Sequence, residues 1–159
     1  MNRFVFSAKT IDDTERLGVA LADLLPPGTT IALCGTLGAG KTRLVQALAA
    51  ASGVDRADVV SPTFVLCHEY HGRRTIYHLD AYRLKDDDEF LQLGPEEYFE
   101  SAGLTVVEWA DRVADCLPSE RLEINITVTG DTSREFEIIA QGSRFAAVLA
   151  DLEQRMNQS

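Results

Sequence analysis

Positive charge is what this sequence has too little of. Fifteen Lys and Arg stand against 25 Asp and Glu, so the 159-residue chain carries −10. A sequence-independent grip on nucleic acid needs a basic footprint, so direct DNA binding is not expected. Cysteine is scarce as well. Cys34, Cys67 and Cys116 are odd in number and lack C-x-x-C spacing. That argues against a disulfide framework or a four-cysteine zinc site and fits a reducing compartment. No apolar run approaches the roughly 18 residues of a membrane helix, and Met1-Asn2-Arg3-Phe4 opens no apolar signal segment. A cytoplasmic protein away from membranes is expected. Repeats and low-complexity tracts are missing too. Usage of 45% apolar and 25% charged residues is that of a globular chain, read as a single domain over residues 1–159.

What is present has two periodicities. Leu17, Ala20, Leu21 and Leu24 recur at helical spacing within residues 12–25, after Thr10 and Asp13 in capping-box positions and before Pro26-Pro27-Gly28. Leu44, Ala47, Leu48 and Ala51 do the same within residues 41–52, closed by Gly53. Phe145, Val148, Leu149, Leu152 and Met156 mark a last helix. Strands are predicted at residues 3–6, 30–34, 64–70, 75–80, 104–108, 122–128 and 134–140, with strict alternation clearest from Leu122 to Val128. Residues 85–100 read as helical pieces broken at Gly94-Pro95, with one lysine against seven acids. The fold class is α/β, a P-loop NTPase-like mixed β-sheet flanked by helices.

Between the second strand and second helix, Gly35-Thr36-Leu37-Gly38-Ala39-Gly40-Lys41-Thr42 matches G-x-x-x-x-G-K-S/T in full. Glycines let several backbone N–H groups turn inward, and the helix N-terminus directs a partial positive charge at the same point. Lys41 can reach β- and γ-phosphates, and the Thr42 hydroxyl can ligate magnesium. No guanine-reading N-K-x-D occurs, so ATP is the expected nucleotide. Such a site also needs a carboxylate at the end of a buried strand. Glu108 ends L-T-V-V-E and Asp80 ends T-I-Y-H-L-D. One can hold magnesium while the other orients water. His78 shares Asp80's strand face, whereas neighbours Cys67 and His68 point to opposite faces and cannot easily share an ion. Arg83 and Arg112 are the cations nearest these motifs in sequence.

The P-loop string, then Ser61-Pro62-Thr63-Phe64, then His78-Leu79-Asp80-Ala81-Tyr82-Arg83-Leu84, then Val107-Glu108-Trp109 resembles the TsaE (YjeE) family in order and spacing. The segment from Thr14 to Ala22 resembles that family's first helix; beyond about Leu117 only the strand–strand–helix character matches. The resemblance implies a magnesium-dependent ATPase, weak alone, required for threonylcarbamoyladenosine modification of position 37 in tRNAs. It implies the partners TsaD and TsaB, with tRNA met only through the complex. It implies Thr42 and Glu108 as magnesium ligands and Asp80 as essential for hydrolysis with Lys41. The nucleotide would lie on Thr36, Leu37, Gly38, Ala39, Gly40, Lys41, Thr42 and Arg43. Thr10 and Ile11 would border adenine, Thr63 would sit in a switch-like loop, and Trp109 would be auxiliary.

Two positions depart from the family pattern, Thr36 where Asp is usual and Arg43 where a small residue is usual. Removing an acid beside the phosphates is expected to spare binding and to alter the hydrolysis rate. Two other readings stand beside the ATPase: a small-molecule P-loop kinase, and a nucleotide-gated binding module with incidental hydrolysis. A kinase of anionic acceptors favours an arginine-rich lid, and the best lid candidate, residues 85–100, is acidic.

Overall fold

The computed structural model describes residues 2–36, 38–59, 67–82 and 84–158. Chain order is β1 (Arg3–Ala8), α1 (Ile11–Leu24), β2 (Thr30–Gly35), α2 (Lys41–Ala51), β3 (Cys67–His71), β4 (Thr75–Asp80), α3 (Asp87–Leu91), α4 (Glu96–Phe99), β5 (Leu104–Glu108), β6 (Arg121–Val128), β7 (Arg134–Gln141) and α5 (Ala146–Asn157). The predicted elements form with ends shifted by a residue or two. Residues 64–66 of the predicted third strand lie outside the described residues. The loop predicted after α2 contains a 3₁₀ turn, Arg56–Asp58, and a second 3₁₀ segment, Ala110–Cys116, follows β5.

Local chemistry sets the boundaries. Thr10 is extended at the N-cap of α1 and accepts from the Asp13 N–H at 3.3 Å; the Asp13 carboxylate accepts from the Lys9 N–H at 2.9 Å. The capping box therefore forms, with its return arm one residue earlier than the standard pattern. The helix stops at Leu24, before Pro26 and Pro27, since a residue preceding proline is driven out of the helical region. In the acidic run, Asp86 caps α3 by accepting from the Glu89 N–H at 3.0 Å, where acids suit the helix dipole.

The seven described strands form one sheet in the order β1-β7-β6-β2-β5-β4-β3. The pairs β6–β2, β2–β5 and β5–β4 are parallel, and β1–β7, β7–β6 and β4–β3 are antiparallel. Both sheet faces are covered. Ile31, Leu33, Ile124, Phe136 and Ile138 pack against Leu17 and Leu21 of α1, Leu44 and Leu48 of α2 and Leu149 and Leu152 of α5. On the other face Ala32, Leu79 and Val107 meet Leu84, Phe90 of α3 and Val113. Burying such chains stabilises by about 1.5–3 kcal/mol each. Helices α1 and α2 touch at backbone distance, for a Cβ on Gly18 would lie 2.4 Å from the Ala47 Cβ and 2.9 Å from α2 backbone. Among the described residues no helix is long and apolar enough to cross a membrane.

The fold sends β2, β4 and β5 in parallel to one sheet edge. Their C-terminal ends, where ligands of α/β sheets gather, set Asp80 beside Glu108, and Glu108 across from Leu33, two residues before Gly35.

Candidate functional site

Buried β2 ends at Gly35, and the chain turns through the loop into α2. Gly38 and Gly40 hold φ of +78° and +104°, a region open to glycine at little cost. The Ala39 N–H donates to the Thr36 carbonyl at 3.0 Å and the Leu44 N–H to Gly40 at 3.1 Å, so the turn feeds directly into the helix. Lys41 bends back over its own loop, donating to the carbonyls of Gly35 at 2.6 Å and Thr36 at 2.9 Å, with its ammonium 4.1 Å from the Trp109 ring centroid. Only 6% of the residue is exposed. Burial lowers its pKa, and the nearby Glu108, Asp80, Cys34 and Asp111 pull it back up.

Opposite the loop stands a wall of side chains. The parallel register sets Asp80 beside Glu108. Both are buried, at 4% and 3% exposure, and His78, on the same face of β4, is fully buried. The His78 Nε2 is hydrogen-bonded to Glu108 Oε2, and its Nδ1 lies 3.2 Å from the Tyr70 hydroxyl of β3. Asp80 accepts through Oδ1 from the Tyr82 N–H at 2.8 Å. Desolvation raises the Asp80 pKa above 3.8; the Tyr82 N–H opposes this, Glu108 adds to it, and His78 and Lys41 oppose it. The result is a carboxylate readier to accept a proton than a solvated Asp.

Trp109, next along from Glu108, holds φ 58° and ψ 37°. It is the one non-glycine with positive φ among the described residues, a conformation costing about 1–3 kcal/mol. Its N–H donates to the Leu33 carbonyl at 3.0 Å, and its ring packs on Tyr82 with centroids 4.8 Å apart. One cavity runs between the walls, bounded by the loop from Gly38 to Arg43, by Glu108 and Trp109, and by Tyr82 and Arg134. A second adjoins it beyond Gly40 and Arg43, lined by Ile11, Thr14, Asp131, Thr132, Arg134 and Phe136.

The donor set on the first cavity includes two hard oxygen groups, the Thr42 hydroxyl and the Glu108 carboxylate. Among the described residues no three or more His, Cys, Asp or Glu cluster to hold a metal by themselves. That chemistry fits magnesium, which takes one or two carboxylates and completes its shell with phosphate and water.

A family model described as "Threonylcarbamoyl adenosine biosynthesis protein TsaE" matches residues 8–136. The chain belongs to the TsaE family. Among relatives named tRNA threonylcarbamoyladenosine biosynthesis protein TsaE, that of Treponema pallidum is 39% identical over 131 residues, 82% of this chain and 96% of the relative. The Bacillus subtilis relative is 38% identical over 149 residues, 93% of this chain and 92% of its own. The crystal structure of Bacillus subtilis YdiB superposes with a TM-score of 0.80 at 31% identity, covering 98% of this chain and 97% of that one. The TsaE match reaches from the end of β1 into β7 and so includes Arg134.

Within this TsaE-family frame the structure gathers most of the residues singled out from sequence. Gly38, Ala39, Gly40, Lys41, Thr42, Arg43, Glu108 and Trp109 share one cavity, and Ile11 and Arg43 line its neighbour. Asp80 stands beside Glu108. Thr36 is exposed and meets Lys41 through its carbonyl. Thr10 does not line either cavity; its hydroxyl is committed to the cap of α1. Leu37, Thr63 and Arg83 lie outside the described residues. Arg112 sets its guanidinium 5.5 Å from the Tyr82 ring centroid.

Sequence reasoning missed Arg134. Its Nε donates to the Ala39 carbonyl at 2.8 Å and one Nη to Gly38 at 3.5 Å, while the other Nη donates to Gly130 at 3.0 Å and Ser133 at 2.8 Å. This arginine ties β7 to the phosphate loop across 95 residues of chain. Alternation within residues 134–140 reveals the strand but not which loop it reaches. Thr14, Asp131 and Thr132 were missed for the same reason. Tyr70 was read only as part of a strand.

Proposed function

We propose that this chain is the ATP-hydrolysing subunit of tRNA threonylcarbamoyladenosine synthesis at position 37, working as a single cytoplasmic domain with TsaD-like and TsaB-like proteins. The reading is carried by one observation: in a TsaE-family chain a P-loop lysine and the Glu108 carboxylate line one cavity, and buried Asp80 stands beside Glu108 in the sheet. The loop N–H groups and the start of α2 receive the phosphates, and Lys41 exchanges its carbonyl partners for phosphate oxygens. Thr42 and Glu108 hold magnesium, which when bound neutralises charge developing on the phosphates. Asp80, its pKa raised by burial, takes a proton from the attacking water. Trp109 and Tyr82 close the cavity's side.

The acidic character of α3 and α4 speaks against a kinase lid for an anionic acceptor. The deciding experiment measures release of inorganic phosphate from ATP with the chain alone and with the TsaB and TsaD proteins. Slow release alone, acceleration by the partners and no phosphorylated acceptor are expected. A phosphorylated small molecule turns the reading to a kinase. Full tRNA modification with hydrolysis abolished turns it to a nucleotide-gated module.

A further inference from the structure

One buried group near the cavity has no part in the chemistry above. His78 is fully enclosed, two residues before Asp80 on the same face of β4. The register places it across from Val106, so it reaches Glu108 diagonally. Both its ring nitrogens are engaged, Nε2 by Glu108 Oε2 and Nδ1 by the Tyr70 hydroxyl at 3.2 Å. The Tyr70 ring lies 5.9 Å from the imidazole, centroid to centroid, and the His68 ring stacks on Tyr70 with centroids 6.1 Å apart. One neutral tautomer satisfies the whole chain: Nε2–H donates to the carboxylate and Nδ1 accepts from the tyrosine. A hydrogen bond on one imidazole nitrogen sets what the other can do, so β3, β4 and β5 are joined through a single oriented ring.

We propose that His78 is the positioning residue for Glu108. It holds Oε2 and thereby turns the carboxylate so that Oε1 is the oxygen left for the cavity that Glu108 lines with Lys41 and Thr42. Tyr70 holds the ring in turn. The proposal rests on the reading of Glu108 as a magnesium ligand. Partners behind a metal ligand typically govern affinity by about 10–100-fold. A carboxylate free to rotate would lose magnesium while leaving phosphate contacts to the loop untouched. His78 is thus expected to act on metal-assisted nucleotide binding and not on nucleotide binding as such.

The test is calorimetric titration of ADP into the protein with magnesium and with EDTA, for the wild type, Glu108→Gln, His78→Leu, His78→Gln and Tyr70→Phe. His78→Leu is expected to lower affinity measured with magnesium by about tenfold and to leave the EDTA value within about twofold. His78→Gln, which keeps an N–H donor toward Glu108, is expected to recover most of the loss. Tyr70→Phe removes the hydroxyl that meets Nδ1 and is expected to cost about two- to threefold with magnesium, and it carries the test where His78→Leu does not fold. A magnesium gain lost in Glu108→Gln but intact in the His78 and Tyr70 variants overturns the proposal alone. Equal losses with magnesium and with EDTA reduce His78 to a packing residue and overturn it as well. A wild type with no magnesium gain overturns the reading of Glu108 and the proposal together.

Discussion

The two walls of the cavity are built from different material. On the loop side the working groups are backbone N–H donors, a helix terminus and one lysine, delivered by eight consecutive residues. On the opposite side Glu108 of β5 lines the cavity, backed by the buried side chains Tyr70, His78 and Asp80 of β3 and β4. A backbone cradle binds phosphate with little dependence on its neighbours. A carboxylate wall depends on register, burial and hydrogen bonds. The loop should therefore govern nucleotide affinity as such, and the wall magnesium-assisted binding and turnover.

The largest effect expected lies on the wall. Asp80→Ala should reduce phosphate release by about 10²–10⁴-fold, the usual worth of a general base, while ATP affinity stays within about threefold. Equal losses in both would erase the division between the walls. The same carboxyl gives a pH signature. Hydrolysis needs its ionised form, and burial raises its pKa, so activity should fall on acidification sooner than with a solvated carboxylate. A profile with no acid limb above that of a solvated carboxylate in the partner-activated enzyme would remove Asp80 from the proton transfer.

Next in size is the loop. Lys41→Met removes a charged donor to the phosphates, about 1.5–3 kcal/mol or roughly ten- to hundredfold in Kd, checked by calorimetry with ATP. Arg134→Ala releases the loop from β7 and should weaken ATP by about tenfold, on the scale of one charge-assisted hydrogen bond. An unchanged Kd would show that the glycine turn keeps its shape unaided. The smallest change expected is Thr36→Asp. An acid restored near the phosphates at a helix start acts through about 0.3–1 kcal/mol, so turnover should shift by about two- to fivefold with little change in binding. No change in either would mean that position 36 does not tune the site.

The contrast also explains what could be read in the sequence. The loop is local: glycines, lysine and threonine at fixed spacing dictate their own backbone, and Lys41 and Thr42 were assigned from those residues alone. The ends of β4 and β5 were placed as well, because buried strands ending in an acid are a local pattern. The side-by-side placement of Asp80 and Glu108 depends on parallel pairing across 28 positions, which no local pattern encodes. The Tyr70–His78 bond comes from the β3–β4 hairpin register. Arg134 reaches the loop only because β7 pairs with β6, and β6 with β2. Thr10 shows the converse, a residue near the site in sequence whose hydroxyl serves the start of its own helix.

The close approach at Gly18 has a last consequence. Helix α1 opens at Ile11 and carries Thr14 into the second cavity, while α2 opens at the phosphate loop of the first. With no room for a methyl group between Gly18 and Ala47, any larger residue at position 18 would force the two helices apart. The separation between the cavities is set once, when the helices lock. The pair thus fixes how the rims of the two cavities lie relative to one another.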